Sequence, residues 1–320
     1  MVNAPSVITG AGLVCPLGGD VPTAVAAFRI PGGPETRIAF DFGTRLHPNQ
    51  KRRLDRLSQL VLAACLEAAE QAAWERLADD RAAVVMGTGL GCLEKTAAYL
   101  RGVAGAGLDY ADAINFPDSM DSSPAAHVAM VLGCRGPSLT VTQREISGES
   151  AMILAELLLR QGAADAVIVA AGDAATAELQ DLLSRFVPGA KAGEAAAALV
   201  LETRESAARR GARTLGSLIG RGQAGAPVAG PPLRLPPPHA LDRALELALE
   251  SAGIPRDPAG AIPAVAPEEV SDRIGWILAD GVLRAVLAMD RIAAGGGSAS
   301  IVARQARGGS AAAIVIGPGL

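Results

Sequence analysis

The chain has 320 residues, half of them hydrophobic, a net charge of −4 and only 3% aromatic residues. That is ample apolar material for one large or two smaller cored domains, and it excludes a disordered chain. An acidic balance without stacking aromatics also lacks the footprint of a nucleic-acid binder.

Positive charge is nearly all arginine, with lysine only at Lys51, Lys95 and Lys191. Cys15, Cys65, Cys92 and Cys134 lie far apart, with no C-x-x-C and no nearby histidine pair. Neither a disulfide framework nor a zinc site is expected, nor any other metal or cofactor, and a reducing cytoplasm fits. The opening MVNAPSVITG lacks a charged region followed by a long apolar core, and no apolar run reaches membrane-spanning length. A soluble, untargeted cytoplasmic protein without membrane contact is the expectation.

In chain order, Val7–Thr9 reads as a first strand and Gly10 to Gly18 as a glycine-rich turn. It is no phosphate cradle, because the Lys-Ser/Thr pair and a correctly spaced third glycine are missing. Residues 30–50 look loop-like. The basic run Lys51-Arg52-Arg53-Leu54-Asp55-Arg56, more often a solvated face than an anionic-partner site, precedes a helix over Leu57–Ala73. Ala82–Met86 is a buried strand, followed by a flexible turn at Gly87-Thr88-Gly89-Leu90-Gly91. Residues 105–125 read as a loop with a short helix. Their carboxylates, Asp109, Asp112, Asp118 and Asp121, are irregularly spaced and lack histidine partners, which favours a solvated loop over a metal cluster.

The central stretch follows. Ser138–Thr142 is short, β-branched and preceded by Gly-Pro, so it reads as a strand entering a crowded sheet. A tight turn, Gln143 to Gly148, leads into a helix over Glu149–Gln161 that is too apolar for a surface stripe. Val167–Ala171 then has the unbroken apolar pattern of a parallel strand covered on both faces. A strand feeding a helix start places unpaired amides around negative charge. Glu145 occupies that place. Glu149, one turn on, reads as a helix-start residue, and Ser150 lacks the second glycine of a Gly-x-Ser-x-Gly elbow.

Beyond it, Ala195–Glu202 is a strand, Thr203–Arg213 a charged helix and Leu215–Ile219 a strand. Gly222–Pro238 is too rich in Pro and Gly for regular structure. Ala240–Ser251 reads as a helix and Ala261–Ala266 as a weak segment. Asp280–Ile292 then Ser298–Ala303 repeats the helix–strand order of 149–171, and Ala311–Ile316 echoes Ala195–Leu201. This weak symmetry argues for two βαβ-rich halves, 1–220 and 221–320, with helices sandwiched between sheets in one compact unit.

Three runs carry a resemblance: the opening ITGAGLVCPLG, the stretch GPSLTVTQREISGESAMILAELLLRQGAADAVIVAAGD, and GEAAAALVLE. Together they resemble β-ketoacyl synthases over nearly the whole chain. The resemblance implies an α/β, thiolase-like fold of duplicated βαβαβ halves in a five-layered α-β-α-β-α sandwich. Anchored by Gly136-Pro137 and by Gly162 to Asp165, it sets the family's nucleophilic cysteine on Glu145. The family's Lys-x-x-x-Gly-His motif falls on Ser271 to Trp276, so lysine becomes Ser271 and histidine Trp276. The segment matching the other catalytic histidine, around Ala261–Glu269, has none and has lost a long loop. His47, His127 and His239 fall elsewhere and read as ordinary residues.

No catalytic side chain is therefore expected. A carboxylate is a poor thioester acceptor and would repel a developing oxyanion. Open roles for Glu145 are a charge held by the helix start, a salt bridge with Arg144 or a partner's arginine, or a plug for a disused pocket. By resemblance, the nearest class is the chain length factor, the inactive subunit that forms a heterodimer with an active β-ketoacyl synthase in type II polyketide systems and meets acyl carrier protein only indirectly. Many members carry glutamine at the cysteine position; Glu145 departs from that, and the shorter second half suggests a branch such as the highly reducing, polyene-making systems. In the family, residues 105–125 lie at the dimer interface and help shape the acyl tunnel, which makes Ile114, Phe116, Thr142, Gln143, Arg144, Glu145 and Ile146 the tunnel or interface candidates. Two alternatives stay open: a malonyl-carrier-protein decarboxylase supplying the starter unit, and a homodimeric acyl-binding protein.

Overall fold

The computed structural model of the chain describes residues 6–38, 48, 54–76, 79–113, 116–227, 239–255 and 262–319. The first element corrects the sequence reading. Strand β1 (Ser6–Val14) runs straight on through Gly10 and Gly12, because both lie beneath helix α2. A Cβ at Gly10 would stand 2.1 Å from the Ala68 carbonyl oxygen, and one at Gly12 2.0 Å from that of Ala64. These glycines serve close approach of a strand and a helix, not a turn.

Helix α1 (Val21–Phe28), unforeseen, is capped by Asp20, whose carboxylate accepts from the Thr23 amide. Helix α2 (Arg56–Ala72) is capped likewise by Asp55 and is buried along most of its length. Next come β2 (Ala82–Gly87), the unforeseen helix α3 (Leu93–Ala106), α4 (Ser123–Leu132) and β3 (Ser138–Val141). After them stand α5 (Ser147–Arg160), β4 (Ala166–Asp173), α6 (Ala177–Phe186), β5 (Ala195–Glu202) and α7 (Arg204–Arg209). Strand β6 (Gly216–Gly225) passes through residue 220 and reaches into the stretch read as irregular. The chain ends in α8 (His239–Ala252), the unforeseen α9 (Pro267–Ile274), α10 (Gly281–Ala293), β7 (Ser300–Gln305) and β8 (Ser310–Pro318). Residues 51–53, 228–238 and Ala261, about which the sequence raised expectations, lie outside the described residues.

The strands form one eight-stranded sheet in the order β3-β2-β4-β5-β1-β6-β8-β7. Only β2–β3 and β2–β4 are parallel; the remaining neighbours are antiparallel. Helices α5 and α10 pack against strands of both halves of this sheet, with α2 and α4 outside one half and α8 outside the other. The layers thus run α-β-α-β-α as expected, but the two β layers are joined through the pairing of Ser6–Ile8 with Gly216–Leu218. Strand β4 shows the alternation that makes this work. Ala166, Ile168 and Ala170 face α2, while Val167, Val169 and Ala171 face the middle layer of α5 and α10.

The internal duplication is explicit. Helix α5 followed by β4 and, after α6, by β5 is matched by α10-β7-β8, and β1 followed, after α1, by α2 is matched by β6-α8. Even the close packing repeats: a Cβ at Gly220 would lie 2.3 Å from the Ala248 carbonyl oxygen, and one at Gly222 2.0 Å from that of Ala244. Among the described residues the second half supplies three strands, and a single parallel bridge from Ala264 to Ile301 lies against the outer edge of β7.

Two local expectations also change. Strand β3 does not enter a crowded sheet: it is an edge strand paired only with β2, with Ser138 and Leu139 exposed. The turn after β2 is pinned rather than flexible. Buried Asp173, at the end of β4, accepts from the Thr88 hydroxyl at 3.1 Å, the Gly89 amide at 2.8 Å and the Ala279 amide at 2.7 Å. Burial pushes its carboxyl above the ordinary range, against the pull of these donors.

A methyl group under α2 should be costly. Gly12→Ala is expected to lose about 1–3 kcal/mol by overpacking, whereas Gly102→Ala, inside α3 where an added Cβ meets nothing within 4 Å, should be neutral or gain up to about 1 kcal/mol. Urea unfolding of the two variants separates the cases.

Candidate functional site

The site is built on the turn between β3 and α5. Arg144–Ile146 form one 3-10 turn that runs directly into the helix. Arg144 holds a left-handed φ of 53°, which costs a non-glycine residue roughly 1–2 kcal/mol. Side chains on both sides fix the geometry. The Ser147 hydroxyl donates to the Arg144 carbonyl at 2.8 Å and accepts from the Gln143 amide at 2.8 Å. The Ser150 hydroxyl donates to the Gln143 side-chain oxygen at 2.5 Å, and the Gln223 amide donates to the same oxygen at 3.1 Å. This conformation turns Glu145 and Ile146 inward, where they are 3% and 0% exposed.

Glu145 meets an arginine that the sequence gave no reason to expect. Its carboxylate accepts from the Arg307 guanidinium at 2.8 Å and from the Arg307 backbone amide at 3.2 Å. The same guanidinium lies 4.8 Å from the centre of the Trp276 ring, within cation–π range. Arg144 completes the closure by donating to the Arg307 carbonyl at 2.8 Å. Arg307 stands in the β7–β8 turn, ahead of Gly308 and Gly309 with φ of 112° and 105°. Trp276 is placed by backbone bonds, its amide to the Lys191 carbonyl at 2.7 Å and its carbonyl from the Gly193 amide at 2.9 Å.

Behind this seal lies a second ionic cluster, between α5 and α10. Arg284 is fully buried. It donates to Asp280 at 2.9 Å, to Glu149, and to the carbonyls of Val265 and Ala303 at 3.2 and 3.0 Å. Arg304 pairs with Asp280 at 2.8 Å, donates to the carbonyls of Ile277 and Leu278 at 3.1 Å each, and lies 5.9 Å from the Trp276 ring. Glu149 is therefore a core ion-pair partner rather than a plain helix-start residue. Burial pushes its carboxyl upward, opposed by Arg284 and Arg304 and reinforced by Asp280.

Above the Glu145–Arg307 pair opens a cavity of about 210 Å³. Its walls are Leu90, Leu182, Leu183, Val187, Leu278 and Trp276, and Arg144, Glu145 and Arg307 supply its polar lining. Glu145, Arg144 and Trp276 thus meet, as the motif positions imply. The other candidates do not join them. Thr142 and Gln143 are exposed, and Ile146 belongs to the middle core layer. Phe116 is 44% exposed and packs on Tyr99 with ring centres 5.1 Å apart. Ser271 sits on α9, its hydroxyl 3.4 Å from the Glu268 carbonyl, and Ile114 lies outside the described residues. His127 stands 3.6 Å from Asp118, and His239 opens α8; neither reaches the cavity. No hydroxyl, thiol, amine or imidazole lines that space among the described residues. Among them, too, no group of three or more His, Cys, Asp or Glu is placed to hold a metal ion, and no helix is long and apolar enough to cross a membrane.

Comparison with known proteins matches residues 36–185 to the family model "Beta-ketoacyl synthase, N-terminal domain". Nodulation protein E of Rhizobium leguminosarum bv. trifolii is 30% identical over 194 residues, 54% of this chain and 47% of that protein; the chain thus spans about half the length of this relative. The 3-oxoacyl-[acyl-carrier-protein] synthase 2 of Staphylococcus aureus (strain COL) is 27% identical over 297 residues, 80% of this chain and 71% of that protein. Among solved structures, "The ishigamide ketosynthase/chain length factor" superposes with a TM-score of 0.85 at 20% identity, covering 99% of both chains.

Removing Arg284 tests the inner cluster through pH. Glu149 would then lose its direct partner and face Asp280 with only Arg304, itself bound to Asp280, left nearby, and the folded state would hold a proton more tightly than the unfolded chain. A carboxyl whose folded pKa lies above its unfolded value costs stability above that folded pKa, and the cost fades as pH falls through it. Arg284→Met should therefore lose about 3–5 kcal/mol near neutral pH and recover part of it in mild acid. Urea unfolding at several pH values reads this, and a deficit independent of pH contradicts it.

Proposed function

We propose that this chain is a member of the β-ketoacyl synthase (thiolase-like) superfamily, whose N-terminal domain model matches residues 36–185, and that it is a non-condensing partner subunit, of the chain length factor type, for an active synthase in type II polyketide assembly. The observation that carries this reading is the Glu145–Arg307 pair seated against Trp276. Condensation needs a thiolate to take the acyl chain and imidazoles to support the carbanion. At the positions where the resemblance sets the thiolate and one imidazole stand a carboxylate already bound by a guanidinium and an indole that cannot accept a proton. A decarboxylase reading is less favoured, since the carboxylate is held by the guanidinium and the backbone amide of Arg307.

The surface supports pairing with another protein. Among the described residues no strand pairs with the outer edge of β3, which lies beside exposed Leu139, and Met130 and Val131 on α4 are 71% and 39% exposed. An open strand edge with adjoining apolar side chains is a template for strand addition by a partner chain. In this reading the partner is the active synthase, which alone loads from the acyl carrier protein. Phe116 and the turn residues Thr142 to Arg144 then line the shared tunnel or the interface, and their bulk sets product length; Ile146, in the core, takes no part.

Co-expression with an active synthase should give a 1:1 complex by size-exclusion chromatography, weakened at least tenfold by Leu139→Asp. Phe116→Ala and Phe116→Trp should shift the product length in opposite directions. The unaccompanied chain should neither elongate an acyl group nor convert malonyl carrier protein to acetyl carrier protein. Elongation by the chain alone, or decarboxylation that Glu145→Ala abolishes, overturns the proposal, and an unchanged product spectrum removes the tunnel role.

A further inference from the structure

A second cleft, of about 420 Å³, opens between α1, α9 and α10, and it shares no lining residue with the cavity over Glu145. The geometry points to this cleft as a binding site for an apolar α-amino acid in its zwitterionic form. Arg273 takes the carboxylate, Asp272 the ammonium, and the walls between α1 and α10 take the side chain. The site is separate from the functional reading above and does not depend on it.

The cleft is built in advance, because one arginine bridges each pair of its three walls. Arg29, at the end of α1, donates to both carboxylate oxygens of Asp290 on α10, at 2.6 and 2.7 Å. Arg291 on α10 pairs with Glu269 on α9 and donates to the Ala264 carbonyl at 3.1 Å. Arg273 on α9 donates to the carbonyls of Ala27 and Phe28 on α1, at 3.2 Å each. Walls fixed in this way need little ordering when a ligand enters. Val25, Phe28, Leu287 and Ala294 supply apolar lining, together with Ile30, which is 64% exposed. The volume falls within the range of small-molecule pockets, roughly 300–1,000 Å³.

Two neighbouring charges in the cleft are left without a counter-ion. Arg29 and Arg291 have carboxylate partners, whereas Arg273 has only carbonyls, and both of its bonds come from Nη1. Its Nε–H is shielded from solvent and donates to nothing. An unmade bond at a shielded, charged donor costs free energy that a ligand oxygen would recover. Nε and Nη2 form the edge of a guanidinium that grips a carboxylate by two parallel bonds. Gly32 borders this edge; a Cβ there would stand 3.4 Å from Nη2. Asp272 lines the same cleft, is exposed, and has no hydrogen bond or ion pair among the described residues. An α-amino acid carries both of its charges on one carbon, so adjacent residues of opposite sign suit it. A simple anion would be repelled by Asp272, and a simple cation by Arg273.

The test is isothermal titration calorimetry of the full chain with L-phenylalanine. Phenylpropanoate, phenylethylamine and glycine serve as comparisons, lacking in turn the ammonium, the carboxylate and the apolar body. Phenylalanine should bind saturably at one site per chain. Removing the carboxylate, or Arg273→Lys, should weaken binding at least tenfold, since a two-pronged grip is lost. Removing the ammonium, or Asp272→Asn, should weaken it about two- to fivefold. In the Asp272→Asn variant phenylalanine and phenylpropanoate should bind alike. Ala294→Trp, which fills the cleft, should abolish binding, and Leu183→Phe, in the cavity over Glu145, should leave it unchanged. Urea unfolding checks that each variant is folded. The inference is overturned by an absence of saturable heat, by glycine binding as tightly as phenylalanine, or by a preference over phenylpropanoate that survives Asp272→Asn. Binding kept in folded Ala294→Trp, or lost in folded Leu183→Phe, overturns it as well.

Discussion

A carboxylate can be taken out of water only if something replaces the water, and around Glu145 that replacement is Arg307. The pair dictates much of what surrounds it. Arg307 must reach inward from the β7–β8 turn, whose following glycines adopt conformations closed to other residues. Its guanidinium face needs cover, and Trp276 supplies it. Arg144 must accept an unfavourable backbone angle so that its neighbour points inward, and Ser147 holds that angle in place. A turn that resembles a nucleophile's mounting is thereby kept, while the group it presents is spoken for.

The frame that permits this is set by small residues. Gly10 and Gly12 let α2 lie directly on β1, and Gly220 and Gly222 do the same for α8 on β6. With both outer helices drawn in, α5 and α10 are enclosed between the two halves of the sheet. The ionic cluster of Glu149, Arg284, Asp280 and Arg304 then sits in the middle layer, where it ties the start of α5 to α10 and β7. The duplicated halves meet at this cluster, and Arg304 continues it to Trp276 and so to the seal.

Much of the fold was legible in the sequence, for identifiable reasons. Ala195–Glu202 has the bounds its apolar pattern implies, because a strand buried along its whole length is marked locally. Gly10 and Gly12 misled because glycine signals a turn and a close helix contact alike. Helix α3 left no trace because it has no buried residue and hence no apolar stripe. The meeting of Glu145 and Trp276 was legible only through motif positions; nothing local links residues so far apart. Arg307 was missed for the same reason without a motif to rescue it, and the inward turn of Glu149 was hidden because its partner, Arg284, lies on another helix.

The central claim is that the carboxylate at the turn accepts no acyl group because a guanidinium already holds it. Intact-protein mass spectrometry after incubation with acyl and malonyl thioesters measures this directly. The account predicts an unchanged mass for the unaccompanied chain. A covalent acyl adduct that peptide mapping places within residues 143–147 would contradict it.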